Sequence, residues 1–111
     1  ETFQSALSVI FDRLIQMFEE TGQIEGYSFT SIVSAIGAVS EKVREVCANL
    51  YVLMEQEFAT QLHKRGFSLD EAKMKAAFLT AAIEGSIMLT VIKKTADPLR
   101  NSSEQLGLLF N

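Results

Sequence analysis

One cysteine, one proline and one histidine in 111 residues exclude several classes of protein at the outset. A lone Cys47 cannot close an internal disulfide, so no disulfide framework holds the chain, and a free thiol fits a reducing compartment. A single proline with only six glycines argues against long irregular loops. Metal-ligand spacing is missing as well. His63 and Cys47 stand sixteen residues apart, and no H-x-x-x-H, C-x-x-C or E-x-x-H occurs. His63 then reads as a cation near a helix C-terminus and Cys47 as a small core residue. A Cys–His nucleophile pair has no supporting motif, and there is neither a glycine-rich phosphate loop nor a paired-carboxylate signature. No enzyme, no metal site and no cofactor are expected. Basic residues are the minority: ten Lys and Arg against fourteen Asp and Glu give a net charge of −4. The longest basic runs are the pairs Lys64-Arg65 and Lys93-Lys94, so no patch stands ready for a phosphate backbone. No signal peptide is visible, and a start at Glu1 rather than Met suggests a part of a longer protein.

What is present is apolar periodicity. Apolar residues make up 48% of the chain, the balance of a folded domain with one core. Phe3, Leu7, Ile10, Phe11, Leu14, Met17 and Phe18 recur at spacings of three and four, which predicts a helix over residues 2–20 that stops at Thr21-Gly22. Phe29, Ile32, Val33 and Ile36 predict a short helix over 29–37, ended by Gly37; a lone strand there would leave its backbone groups unpaired. Ser40 is the expected N-cap of a long helix bearing Val43, Val46, Cys47, Leu50, Met54, Phe58 and Leu62. His63, Lys64 and Arg65 in its last turn, then Gly66, finish it. Ser68-Leu69-Asp70-Glu71 has the S-x-x-E form of a capping box and opens the next helix, closed by Lys93-Lys94. Asp97, as N-cap, and Pro98, at the first helical position, open the last one, whose Leu99, Leu106 and Phe110 share a face with Leu109 beside them. The reading is an all-α bundle of five helices.

Residues 76–92, AAFLTAAIEGSIMLTVI, carry one formal charge, Glu84. As a membrane span they reach only about 26 Å against a hydrocarbon core of ~30 Å. Glu84 at mid-span would cost ~3 kcal/mol, and each Leu or Ile returns only ~0.3–0.6 kcal/mol. As a helix, the stretch is apolar nearly all the way round, with Ala77, Ala81, Gly85, Met88 and Ile92 on one side and Ile83, Ile87 and Val91 on another. Such a helix has to be covered on all sides, either by its own chain or by another. Two rows of small residues, Ala77-Ala81-Gly85 and Ala82-Ser86-Thr90, would let helix backbones approach closely. The pattern favours a two-fold association in which this helix and the one after Pro98 pair with their copies in an intermolecular four-helix bundle. Plain intramolecular packing is the alternative.

The ending A-A-I-E-G-S-I-M-L followed by K-K-T-A-D-P-L-R-N-S-S-E-Q-L-G-L-L resembles the close of the C-terminal domain of TetR-family transcriptional regulators, in the branch with LmrA- and YxaF-like repressors. Ile83, Glu84, Gly85, Pro98, Leu99, Glu104, Gln105 and Leu106 carry the pattern, and the resemblance covers most of residues 26–110. One departure is Gly26-Tyr27-Ser28, where the branch often has a small residue in place of Tyr27. The resemblance implies that residues 1–111 form an effector-binding and dimerisation domain, preceded by a helix-turn-helix domain that alone touches operator DNA. It implies a cytoplasmic homodimeric repressor, without contact to a membrane, that releases DNA when a small hydrophobic inducer binds. On helix faces and side-chain size, Phe11, Phe18, Tyr51, Met54 and Phe58 are the expected ligand-binding residues, and Ala81, Gly85, Met88, Leu99 and Leu106 the expected dimer interface. Glu84 faces either pocket or partner. The competing reading is a helical interaction module that dimerises without a ligand.

Overall fold

The computed structural model describes residues 3–24 and 41–110, and every regular element among them is an α-helix. Four helices follow in order: α1, Phe3–Thr21; α2, Glu41–Lys64; α3, Leu69–Lys93; and α4, Asp97–Leu109. The short helix expected over 29–37, its end at Gly37, the Ser40 cap and the Gly26-Tyr27-Ser28 departure lie outside the described residues. The chain divides into two compact units. One takes residues Glu1–Ile24 and Ala81–Asn111, and the other Glu25–Thr80, so α3 contributes to both.

In the first unit α1 and α4 run antiparallel. Phe3, at the start of α1, stacks its ring on Phe110, just past the end of α4, at 5.7 Å between centroids and a tilt of 56°. At the other end Arg100 donates to the Glu19 carboxylate at 2.7 Å. Leu7 and Phe11 of α1 are buried, as are Leu99, Leu106 and Phe110. The shared face read for the last helix is therefore the inward one, whereas Leu109 is 54% exposed. Gly22, with φ at +73°, ends α1, donating its N–H to the Phe18 carbonyl. The Thr21 hydroxyl bonds the Met17 carbonyl at 2.8 Å in the same last turn.

In the second unit α2 and the beginning of α3 form a helical hairpin. Gly66 takes φ +109°, its N–H bonds the His63 carbonyl at 3.0 Å, and the Phe67 N–H bonds the Leu62 carbonyl at 3.3 Å. These two bonds satisfy carbonyls that α2 leaves open at its end. His63 Nδ1 lies 2.9 Å from the Phe67 carbonyl oxygen, which can only accept, so this ring nitrogen carries the proton and ties the turn. Ser68 Oγ accepts the Glu71 N–H at 3.1 Å, the side-chain half of the expected capping box.

Two local readings need correction. The covered arc of α2 runs Val43, Cys47, Tyr51, Met54, Phe58 and Leu62, all buried or half-buried, while Val46 and Leu50 are 47% and 53% exposed. This helix has apolar residues on more than one arc, and periodicity alone does not decide which arc is packed. At the last helix the N-cap is Ala96, in the αR region, with no side-chain cap; Asp97 is the first helical residue and Pro98 the second. The Thr95 hydroxyl accepts the Asp97 N–H at 3.3 Å, so the first open donor of the helix is met from two residues back. The Asp97 carboxylate still complements the helix dipole and lies 3.8 Å from Arg100.

Candidate functional site

The long helix α3 presents two unlike faces. Ala72, Ala76, Leu79, Thr80, Ile83, Ser86, Ile87 and Thr90 are buried and recur at spacings of three and four. Met74, Phe78, Met88, Leu89 and Ile92 are between 44% and 75% exposed, and they lie on the opposite side of the helix. Ala77 and Ala81 are exposed among them and Gly85 is half-buried. A face so apolar and so long is unusual on the surface of a folded chain. Glu84 is half-buried, on the border between the two faces. By length and composition α3 could cross a membrane, but one of its faces is already committed to protein.

The two rows of small residues have separate uses. Ala82, Ser86 and Thr90 belong to the covered side, where Ser86 Oγ sits 2.5 Å from Ser102 Oγ of α4. Ala77, Ala81 and Gly85 belong to the uncovered side. Gly85 calls for an explanation. A glycine inside a helix costs about 1 kcal/mol relative to alanine. Its backbone is ordinary helix, and a Cβ added there would meet nothing within 4 Å. Nothing among the described residues requires the missing side chain.

Of the five residues expected at a dimer interface, Ala81, Gly85 and Met88 lie on this outer face. Leu99 and Leu106 do not, being 0% and 2% exposed on the face of α4 that meets the chain's own interior. The outer side of α4 instead carries Leu108, 67% exposed, and Leu109. The expected ligand-binding residues are divided. Phe11, fully buried, and Phe18, half-buried, stand on α1 in the first unit. Tyr51, Met54 and Phe58, all half-buried, stand on α2 in the second.

Each unit also has a concavity of its own that includes none of these five. In the first unit Asp12, Ile15, Gln16, Glu19, Glu20, Arg100, Ser103 and Glu104 surround about 590 Å³ between α1 and α4. Among the described residues its lining is acidic, and Arg100, the one cation among them, is engaged by Glu19. The concavity of the second unit lies between α2 and the start of α3. Sequence reasoning missed both, because each lining mixes polar and apolar side chains from two helices and follows no apolar period. Among the described residues no group of three or more His, Cys, Asp or Glu side chains is placed to hold a metal ion.

Comparison with known proteins places this arrangement. Residues 4–105 match the family described as the C-terminal domain of LmrA/YxaF-like transcriptional regulators. The chain is 30% identical over 104 residues to the uncharacterized HTH-type transcriptional regulator YxaF of Bacillus subtilis (strain 168), covering 94% of this chain and 54% of that protein. It is 30% identical over 86 residues to the HTH-type transcriptional regulator LmrA of the same organism, covering 78% of this chain and 46% of that protein. The chain thus spans about half the length of the curated relatives it matches. No solved structure matches it significantly. These are regulators rather than enzymes, and the chain belongs to the LmrA/YxaF-like C-terminal domain family of TetR-type transcriptional regulators.

Proposed function

We propose that this chain is the ligand-sensing and dimerisation domain of a cytoplasmic TetR-type repressor, and that the repressor releases its operator when a small hydrophobic inducer binds. The observation that carries the dimerisation half is the outer face of α3, apolar along its length with an unexplained glycine at its middle. A second copy crossing at Ala81 and Gly85 covers that face and gives the glycine its use, since two helix axes approach most closely where side chains are smallest. In this reading Met88 and Ile92 flank the crossing, Leu108 and Leu109 extend it from α4, and Leu99 and Leu106 support it from behind. The sensing half rests on the aromatic and methionine side chains of α1 and α2, Phe11, Phe18, Tyr51, Met54 and Phe58, which supply an apolar lining with one polar handle in Tyr51. Inducer and operator are then coupled through rigid helices, each weakening the other's binding by the same factor. Operator DNA is met only through a helix-turn-helix domain outside these residues, and no membrane takes part.

Sedimentation velocity on the wild type and on Gly85→Arg tests the assembly. A dimer is expected for the wild type and a monomer of unchanged helix content for the variant. A dimeric variant, or a monomeric wild type, overturns the crossing. For the sensor, native mass spectrometry of gently purified full-length regulator should show a retained small molecule whose removal tightens operator binding in a mobility-shift assay. Its consistent absence favours the ligand-free interaction module.

A further inference from the structure

The concavity of the second unit measures about 700 Å³ and is lined by Val52, Glu55, Gln56, Ala59, Thr60, His63, Lys64, Leu69, Ala72 and Lys73. That volume lies within the ~300–1,000 Å³ typical of small-molecule sites. From Val52 to Lys64 the groove follows α2 for ~18 Å, at about 1.5 Å of rise per residue. Its depth comes from small residues: Ala72 is 1% exposed, and Ala59 is half-buried across from it. Its walls are apolar, with Val52 49% and Leu69 59% exposed, both large enough that leaving them in water is unfavourable. Lys64, in the last turn of α2, and Lys73, one turn into α3, line the same groove. Neither takes part in an ion pair among the described residues. Glu55, the one carboxylate in the lining among the described residues, lies nine residues before Lys64, ~13 Å away along the helix.

We infer that this groove is a binding site for an amphipathic carboxylate, with the acyl or aryl body along Val52, Ala59, Leu69 and Ala72 and the carboxylate held by Lys64 and Lys73. The charges set the orientation. The two cations stand toward the hairpin end. Glu55 repels a carboxylate from the other end. An apolar molecule without charge would leave both lysines unmatched, and an organic cation would meet two like charges. The groove shares no residue with Phe11, Phe18, Tyr51, Met54 or Phe58, nor with the outer face of α3 beyond residue 73. It therefore stands or falls apart from the sensing and dimerisation reading.

The probe is decanoate, with decan-1-ol and decylamine as neutral and cationic counterparts, titrated calorimetrically into the full-length regulator. Decanoate should bind, the other two at least ten-fold more weakly, which is about 1.4 kcal/mol. The double variant Lys64→Glu/Lys73→Glu, both positions exposed and free of structural hydrogen bonds, should lose decanoate binding while keeping its helix content and assembly state. Ala59→Leu, which fills the groove without touching the charges, should lose it as well. Equal binding of decan-1-ol, undiminished binding by the double variant, or no heat from decanoate each overturns the assignment.

Discussion

The hydroxyls of Ser86 and Ser102 meet at 2.5 Å, one from the middle of α3 and one from α4. Ser86 Oγ is also 2.5 Å from the Ala82 carbonyl oxygen. One hydroxyl has one proton, so if Ser86 donates to the carbonyl, Ser102 must donate to Ser86. The pair marks where α4 presses on the long helix, and only small side chains allow that approach. Ser102→Ala should cost about 1 kcal/mol or less, the usual net value of one hydrogen bond. Ser86→Leu should cost more, roughly 1–3 kcal/mol, because the added atoms must push α4 away. Urea unfolding at equal protein concentration separates the two, and a Ser86→Leu variant as stable as the wild type would contradict the close approach.

One turn further along the same face, Thr90 is fully buried and its Oγ1 has no hydrogen-bond partner. The hydroxyl has lost its water without compensation. Thr90→Val keeps the shape and removes the polar atom, so it should stabilise the protein by about 1 kcal/mol. Thr80 is the internal control, since its hydroxyl donates to the Ala76 carbonyl at 2.9 Å. Thr80→Val should gain less or lose stability. Thermal unfolding of both variants beside the wild type measures the contrast, and a Thr90→Val variant less stable than Thr80→Val would contradict the burial argument.

These residues also show what was legible in the sequence. Ile83 and Ile87 fall on a different side of α3 from Ala81, Gly85 and Met88, as read, but a helix apolar nearly all the way round does not say which side its own chain covers. Gly66 and Ser68 could be read because each acts through local backbone chemistry. Leu99 and Leu106 could not be placed: large apolar side chains suit an interior and an interface equally, and only the packing of α1 against α4 assigns them to the interior. Val46 and Leu50 failed for the related reason that α2 has more apolar residues than its own chain covers. The start of α4 was misplaced by one residue because the Thr95 hydroxyl meets the Asp97 N–H from two residues back, a local bond that the Asp-Pro pair does not reveal. The concavities escaped notice because their linings draw polar and apolar side chains from two helices each and leave no periodic trace.

At the start of α2, Arg44 donates Nε–H to the Glu41 carboxylate oxygens at 3.1 and 3.0 Å, and its Nη2 makes a further close contact. The Glu41 carboxyl is held below its ordinary range, chiefly by this hydrogen bonding and then by the guanidinium charge. A carboxylate whose folded-state pKa is depressed adds stability above its unfolded-state pKa and loses it as pH falls through the folded value. The wild type should therefore exceed Glu41→Gln in urea midpoint at neutral pH, and the gap should close on acidification below the ordinary glutamate range. Salt should narrow it too, since both groups are exposed. A gap that persists at low pH would assign the effect to something other than this charge.

Lys94 holds the position after the long helix with φ at +58°, the one non-glycine residue with positive φ among those described. The geometry is useful, because the Thr95 N–H closes the helix end on the Thr90 carbonyl at 3.3 Å. Side chains with a Cβ are strained there by roughly 1 kcal/mol, and glycine is not. Lys94→Gly should therefore stabilise the protein, by less than about 1 kcal/mol, since glycine also gains freedom in the unfolded chain. Gly66 is the converse case, with φ at +109° and open space where a Cβ would go. Gly66→Ala should destabilise by about 1 kcal/mol through backbone strain alone. Opposite shifts in unfolding midpoint for the two variants are the expected result. A stabilised Gly66→Ala would mean that the hairpin turn adopts another conformation in solution.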